Sequence, residues 1–194
     1  AKLIPDALRA CADKKIPFAL IYSSGFSETG DRALQEEVSA IARDGDIRIL
    51  GPNCQGLANF AEGIPLTFSG ALYGAPRPLP GHVALVSQSG AFGFSSFGVG
   101  LEHGVRFRYV ATTGNQSDLD AVECADYVLD DPEVRLLMLY LEGLEDGTGF
   151  LRLVRKARER DIAVAVLKAG RSPSAREAAK SHTAALTGDD RVWS

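Results

Sequence analysis

The sequence predicts an α/β protein built from two doubly wound units, each a parallel sheet covered by helices. Short runs that are apolar throughout alternate along the chain with amphipathic segments of helical period. Strands without a polar face need cover on both sides, and parallel sheets with helices on both faces provide it. A proline-rich stretch, residues 71–80, separates the two series and is interpreted as a linker.

The first series is short. Pro5 opens a predicted helix over residues 5–15, because proline is favoured in the first turn of a helix. A strand over 18–22, a helix over 31–43 and a strand over 47–50 follow. These correspond to the last two strands of a mononucleotide-binding sheet. Turn-forming residues then dominate up to the linker.

The second series is longer. Its predicted strands cover residues 83–87, 105–111, 136–141 and 162–167, and its predicted helices cover 90–103, 117–129, 147–160 and 172–180. Ser117 or Asp118 is the predicted cap of the second of these helices. A flavodoxin-like sheet has five strands, so we expect the native polypeptide to extend beyond at least one end of this sequence.

Composition excludes several classes of protein. The 194 residues carry a net charge of −4 with acids and bases mixed, so no basic stripe for nucleic acid is present. The longest apolar run, residues 136–141, is far shorter than the ~20 residues of a membrane-spanning helix. The three cysteines and three histidines lack zinc spacing. We therefore expect a cytoplasmic protein with reduced thiols, no metal site and no membrane.

Four loops are candidate ligand sites, since ligands of open parallel sheets bind at the carboxyl ends of the strands. Three of them directly follow a predicted strand, and the fourth contains a histidine. They cover residues 23–26, 51–56, 87–91 and 181–188.

Ser89 and Gly90 open a predicted helix directly after a strand. Free N–H groups at a helix start bind anions, and glycine lets an anion approach the backbone. The pattern is therefore typical of phosphate binding, although an ordinary serine cap explains it equally well.

His182 lies among small residues in a predicted loop, where an imidazole can be exposed. Glu142 ends an apolar strand and could hold one imidazole nitrogen. The alternatives are a loop histidine bonded to its own backbone and a glutamate that is simply solvated. Cys54 could act as a nucleophile with His182 as base, but no third orienting group accompanies it. No GxSxG or GxGxxG motif occurs, which disfavours serine hydrolases and NAD-dependent dehydrogenases.

Six motifs in order carry a resemblance to a known family. They read SSGFSETG, GPNCQG, VSQSGAFG, TTGNQSDLD, LYLEGLEDG and SHTAALTG, and they begin at residues 23, 51, 86, 112, 139 and 181. Together they resemble the nucleoside-diphosphate-forming acyl-CoA synthetases, the superfamily of succinyl-CoA synthetase and ADP-forming acetyl-CoA synthetase. The match covers nearly the whole chain.

The resemblance implies a domain division. Residues 1–70 are similar to the end of a Rossmann-type CoA-binding domain, residues 71–80 to a linker, and residues 81–194 to a flavodoxin-like domain with a phosphohistidine loop. The implied roles are phosphorylation for His182, support of that histidine for Glu142, phosphate binding for Ser89, Gly90 and Ala91, CoA contact for Ser23, Ser24 and Gly25, and the active-site edge for Asn53 and Cys54.

The implied activity is that of an acid–thiol ligase. Acid, coenzyme A and a nucleoside triphosphate would give acyl-CoA, nucleoside diphosphate and phosphate through an acyl phosphate and a phosphohistidine. ATP or GTP with magnesium is expected on an ATP-grasp domain that this sequence lacks, either fused or as a partner subunit, within an oligomer. Alone, the chain should not complete the reaction.

Two other functions stay open at this point. Some relatives of this fold, including certain protein acetyltransferases, sense acyl-CoA rather than form it, although such relatives often lack the histidine. A synthetase for a bulkier acid, aromatic or dicarboxylic, is a third possibility, because no motif identifies the acyl group.

Overall fold

The computed structural model describes residues 1–73, 79–144 and 146–170. The first unit contains α1 (Ile4–Asp13), β1 (Phe18–Leu20), α2 (Arg32–Asp44) and β2 (Arg48–Leu50). Strand β1 pairs in parallel with β2 in a two-stranded sheet. The apolar faces of both helices pack on this sheet around a core that includes Leu8, Val38 and Ile49. All four elements were predicted from the sequence.

The second unit is a six-stranded sheet with helices on both faces. Its elements are β3 (Gly56–Asn59), β4 (Ile64–Thr67), β5 (Val83–Ser87), α3 (Gly90–Glu102), β6 (Phe107–Thr112), α4 (Ala121–Val128), β7 (Leu136–Leu141), α5 (Gly147–Glu159) and β8 (Ala163–Lys168). The strand order is β4-β3-β6-β5-β7-β8. Strands β5 to β8 are parallel to their neighbours among themselves, whereas β3 runs antiparallel to both β4 and β6.

Successive residues of β5 belong to two hydrophobic cores, one on each face of the larger sheet. Leu85 packs with Phe94 and Phe97 of α3 on one face of the sheet. Val86, the next residue, packs with side chains of α4 and α5 on the other face, including Leu153. Successive residues of a strand point to opposite faces, so the apolar strand requires both layers of helix. The predicted α/β class, with a mostly parallel sheet, is confirmed.

The hairpin of β3 and β4 was not predicted, because its two four-residue strands lie in a segment rich in turn formers. Pro65 sits in β4, which is tolerable since this strand is at the edge of the sheet. Strand β3 pairs with β6, so the second sheet extends into the segment that the sequence analysis assigned to the first domain. The described residues therefore contribute six strands to this sheet, where four were expected. The domain division at residues 71–80 stays a prediction.

The predicted start of α4 was wrong. The helix begins at Ala121, and Asp120 caps it by accepting a hydrogen bond from the backbone N–H of Glu123 at 2.7 Å. The carboxylate of Asp118 is engaged elsewhere, because it accepts from the backbone N–H of Ile49 at 2.7 Å and from the guanidinium of Arg48 at 2.9 Å. The helix predicted over residues 172–180 lies outside the described residues.

A loop after β6, residues 113–119, connects the two units through backbone pairing. The N–H groups of Asn115, Ser117 and Leu119 donate to the carbonyl oxygens of Pro52, Gly51 and Ile49 at 2.9, 3.0 and 3.1 Å. These bonds place residues 115–119 alongside residues 49–52, at the end of β2. They hold the loop that follows β2 against the carboxyl edge of the larger sheet.

Gly114 opens this connecting loop with a φ of +57°. A Cβ atom there would lie 2.2 Å from the carbonyl oxygen of Pro52. Only glycine satisfies both the left-handed backbone and the close approach.

Within the described residues, no helix is both long enough and apolar enough to cross a membrane.

We expect Gly114→Ala to lower the free energy of unfolding by more than about 3 kcal/mol, because backbone strain and overpacking add. The matched control is Gly104→Ala, at a φ of +79° with no heavy atom within 4 Å of the added Cβ. Strain alone should cost that variant about 1–2 kcal/mol. Urea unfolding of the two variants measures the difference. Equal losses would contradict the importance of the contact with Pro52.

Candidate functional site

A cleft of about 490 Å³ opens where the loops after β1, β2, β5 and β7 meet. We call it the central cleft. Its lining residues are Tyr22, Ser24, Asn53, Cys54, Gln55, Phe68, Gln88, Ser89, Gly90, Ala91, Tyr140 and Glu142. Three of the four loops selected from the sequence therefore meet in one place.

The central cleft contains seven of the predicted site residues: Ser24, Asn53, Cys54, Ser89, Gly90, Ala91 and Glu142. Ser23 and Gly25 belong to the same loop as Ser24 but do not line the cleft. His182 and the rest of its motif lie outside the described residues.

The start of α3 forms one wall of the central cleft. The hydroxyl of Ser89 accepts a hydrogen bond from the backbone N–H of Phe92 at 3.3 Å, so it caps the helix. The N–H groups of Gly90 and Ala91, in the first turn, have no partner within a helix. A Cβ at Gly90 would lie 2.8 Å from Cγ of Gln55. Glycine thus lets the loop after β2 pack on this helix start, and the wall combines a serine cap with unpaired donors suited to an anion.

Glu142 also lines the central cleft and is only 6% exposed, which excludes the simple solvated glutamate. Gln88 fixes its backbone. The Gln88 Oε1 atom accepts from the N–H groups of Glu142 and Gly143 at 2.5 and 2.9 Å, while Nε2 donates to the Gly143 carbonyl at 2.8 Å. Lys168 donates from Nζ to the carbonyl of Glu142 at 2.8 Å. The carboxylate therefore projects from a backbone held on both sides.

Tyr140 lies beside this carboxylate. Burial raises the pKa of its hydroxyl above the ordinary value, and the charge of Glu142 and a hydrogen bond to it raise it further. The ring stacks on Phe92 of α3 with centroids 4.1 Å apart. Tyr140 thus holds the Glu142 side chain and ties β7 to the start of α3.

Glu28 organises the loop of residues 23–26. One carboxylate oxygen accepts from the backbone N–H groups of Gly25 and Phe26 at 2.5 and 3.2 Å. The other accepts from the side-chain amide of Asn115, in the connecting loop. The Asn115 carbonyl oxygen in turn accepts from the amide of Asn53 at 3.2 Å. One network therefore joins the loop after β1, the loop after β2 and the loop after β6.

The pKa of Glu28 reflects this network. Burial alone would raise it, but the hydrogen bonds from Asn115 and from backbone N–H groups outweigh burial and keep it below the ordinary value. Hydrogen bonds to the charged form of a carboxylate have this effect. Glu28 is consequently ionised at neutral pH and positions the loop as an anion.

The environment of Cys54 does not favour a nucleophilic thiol. It is 2% exposed, and its Sγ lies 3.6 Å from the carbonyl oxygen of Ile21 and 3.8 Å from that of Leu50. Burial raises the pKa of the thiol to about 11, although backbone N–H groups partly oppose the shift. Because the thiolate is the reactive form, burial and the raised pKa disfavour the alternative in which Cys54 attacks a substrate. The residue lines the cleft with most of its side chain buried.

Sequence reasoning missed five lining residues: Tyr22, Gln55, Phe68, Gln88 and Tyr140. Four of them are within or beside a quoted motif, so the signal existed and only their roles were unassigned. Phe68 follows the unpredicted hairpin, and no local pattern marks it. Among the residues that the structure describes, no group of three or more His, Cys, Asp or Glu side chains could hold a metal ion.

More than half of the chain matches a known protein family. The family described as the succinyl-CoA ligase like flavodoxin domain matches residues 80–194, more than half of the chain. The match includes the helix start, Glu142 and the segment containing His182.

Individual relatives extend the likeness to the whole chain. It is 34% identical over its full length to the alpha subunit of acetate–CoA ligase [ADP-forming] I from Pyrococcus furiosus and covers 41% of that protein. It is 31% identical over 98% of its length to 4-hydroxybutyrate–CoA ligase [ADP-forming] from Nitrosopumilus maritimus, of which it covers 27%.

A solved structure shows the same fold. The dinucleotide forming acetyl-coenzyme A synthetase 1 of Ca. Korarchaeum cryptofilum, in complex with phosphate and ADP, superposes with a TM-score of 0.88 at 30% identity. The superposition covers 99% of this chain and 40% of that one. The chain thus spans well under half the length of these relatives.

We expect Glu28→Gln to lower the free energy of unfolding at pH 7 by about 1 kcal/mol, since the half-buried anion accepts several hydrogen bonds. A carboxylate with a lowered folded pKa stabilises the fold above its unfolded pKa, about 4.3. That stabilisation disappears as the pH falls through the folded pKa. The difference between wild type and variant should therefore shrink below pH 4.

Glu62→Gln, at an exposed carboxylate, is the control and should change the free energy of unfolding by less than about 0.5 kcal/mol. A difference for Glu28→Gln that does not change between pH 7 and pH 3 would contradict this role.

Proposed function

Because the chain belongs to the family of succinyl-CoA ligase like flavodoxin domains, we propose that it is the CoA-binding and phosphoryl-accepting part of a nucleoside-diphosphate-forming acyl-CoA synthetase. One observation carries the proposal. A single cleft brings together Ser24 of the loop assigned to CoA, the helix start at Ser89 and the buried carboxylate of Glu142. The Pyrococcus furiosus and Nitrosopumilus maritimus relatives are both named as ADP-forming CoA ligases, which supports the same reaction class.

The proposed reaction has three steps. The phosphoryl group of a nucleoside triphosphate passes to His182, releasing the diphosphate. A carboxylate oxygen of the acid then attacks phosphorus, the P–N bond breaks, and acyl phosphate forms. The CoA thiolate attacks the acyl carbon, and inorganic phosphate leaves. Imidazole suits the first role because it is a good nucleophile near neutral pH and a good leaving group.

The described residues supply positioning and charge. Free N–H donors at Gly90 and Ala91 are suited to the phosphoryl oxygens, and phosphoryl transfer depends mainly on such preorganised donors. The dipole of α3 adds about 0.3–1 kcal/mol, so directed hydrogen bonds contribute most. Glu142 balances the charge of the imidazole and orients it. The loop of Ser23, Ser24 and Gly25, which Glu28 holds through the N–H groups of Gly25 and Phe26, brings the thiol to the same cleft.

The nucleotide belongs to another part of the enzyme. ATP or GTP with magnesium would bind an ATP-grasp domain, fused or separate, in an oligomeric assembly, and the relatives named as ADP-forming support an adenine nucleotide. The cytoplasm is the proposed compartment. Cys11, Cys54 and Cys124 are all free thiols, in keeping with a reducing environment.

The test uses the full-length parent enzyme, including its ATP-grasp partner, with γ-labelled ATP and magnesium. Label should appear on the protein, survive base and be lost in acid, as expected of a phosphoramidate. His182→Ala should reduce the label to background. Glu142→Gln should lower it about 10- to 100-fold, by analogy with the effect of removing the carboxylate partner of a metal-binding histidine, and should leave CoA binding intact. His103→Ala, at an exposed histidine after α3, is the matched control and should label fully.

Two results would reject the mechanism. Full labelling together with full acyl-CoA synthesis by His182→Ala would show that another group carries the phosphoryl. A wild type that binds CoA and never labels would favour the acyl-CoA sensor instead.

A further inference from the structure

Gln116, in the connecting loop, presents one side-chain oxygen to three donors. Its Oε1 atom accepts from the backbone N–H of Ala121 at 2.7 Å, from the hydroxyl of Thr113 at 3.1 Å and from Nε2 of Gln88 at 3.3 Å. The first of these donors opens α4, and the last belongs to the side chain that holds the loop after β7. A single acceptor therefore joins the connecting loop, α4 and the Gln88 amide.

Backbone groups determine which way both amides face. The Oε1 atom of Gln88 accepts from the N–H groups of Glu142 and Gly143, so the other end of this amide is the donor. That donor, Nε2, contacts the Gly143 carbonyl and Gln116. The backbone N–H of Ala121 can only donate, so the atom of Gln116 that faces it is the oxygen. Flipping either amide would set a donor against a donor.

The backbone of Gln116 has an unusual conformation. Its φ is +56°, in the left-handed region that residues with a side chain rarely adopt. Such a conformation persists only where the surroundings over-determine it. Here the three bonds to Oε1 act together with a bond from the Gln116 N–H to the carbonyl of Thr113 at 3.3 Å. The connecting loop thus tolerates a costly backbone at the residue that contacts Gln88.

Neighbouring side chains of the connecting loop serve two different loops of the site. Asn115 donates from its amide to Glu28, which holds the loop assigned to CoA. Gln116 accepts from Gln88, which is only 4% exposed and holds the loop that carries Glu142. Removing the Gln116 oxygen would remove one of the two acceptors that the Gln88 Nε2 atom contacts. The buried amide would then hold the loop after β7 less firmly.

We propose that Gln116 is a positioning residue for the phosphoryl step, acting through Gln88 on the loop that carries Glu142. The proposal rests on the proposed function, since it assigns a role in the same reaction. The oxygen at position 116 keeps the Gln88 amide in the one orientation that satisfies both N–H groups after β7. The carboxyl group of Glu142 is thereby held where it serves the imidazole.

The test uses the full-length parent enzyme with its ATP-grasp partner and follows two quantities. The first is the rate of protein labelling by γ-labelled ATP with magnesium, before acid or CoA is added. The second is the Kd for CoA, which reports on the path of the connecting loop because Asn115 supports the CoA loop through Glu28.

Gln116→Met removes the acceptor at nearly constant side-chain length. Labelling should slow about tenfold, by analogy with the loss of an outer-shell partner at a metal site, while the Kd for CoA stays within about twofold of wild type. Gln116→Glu keeps an acceptor oxygen in either ionisation state, beside the start of α4 where a negative charge is favourable. It should label within about threefold of wild type. Glu36→Met, at an exposed position of α2, is the matched control and should behave as wild type in both measurements.

A double-mutant cycle tests whether Gln116 acts through Gln88. Gln88→Glu keeps an oxygen for the N–H groups of Glu142 and Gly143 but removes the donor to Gln116. Combining it with Gln116→Met should slow labelling no more than Gln88→Glu alone, whereas independent residues would multiply their effects.

Four results would overturn the proposal. They are full labelling by Gln116→Met, labelling by Gln116→Glu as slow as that of Gln116→Met, multiplied losses in the double variant, and a Kd for CoA that rises in Gln116→Met as much as labelling falls. The last would show that the whole connecting loop is disturbed.

Wild-type labelling separates this proposal from the proposed function. Normal labelling of the wild type combined with any of those four results rejects the positioning role alone. Absence of label from the wild type rejects the proposed function and, with it, the role of Gln116.

Discussion

The backbone pairing between residues 113–119 and 49–52 is the constraint on which the site depends. Three N–H···O bonds join the loop after β6 to the end of β2 and the loop that follows it. Because Gly114 permits a close approach to Pro52, the loop after β2 lies on the carboxyl edge of the larger sheet. Asn115 then connects that loop to Glu28. This pairing helps to bring the loop assigned to CoA and the helix start assigned to phosphate to one surface.

The neutral side-chain amide of Gln88 positions the loop after β7, which forms another part of the site. Gln88, only 4% exposed, satisfies two N–H groups and one carbonyl in the loop after β7. Buried backbone groups are costly when unpaired, so the side chain fixes the path of that loop more firmly than solvent could. The Glu142 carboxyl group is consequently held beside Tyr140. The cleft thus combines the N–H donors of the α3 start with a carboxyl group.

The cleft also depends on the hairpin of β3 and β4. Phe68 follows β4 and meets the ring of Tyr22 edge to face, so the hairpin is held against the first unit at the mouth of the loop after β1. The make-up of the central cleft therefore depends on how the two sheets are joined.

The sequence by itself determined the local structure and most of the candidate site. Apolar runs defined β5 and β7 to the residue, and the ordered motifs predicted the family, which the comparisons confirmed. Only the tertiary structure decided that β3 and β4 join the second sheet, that Asp118 pairs with Arg48 instead of capping α4, that Cys54 is buried and that Phe68 lines the cleft. Periodicity and capping are encoded within a few neighbouring residues. Strand pairing and side-chain competition depend on partners 50 to 70 residues away, so local patterns do not encode them.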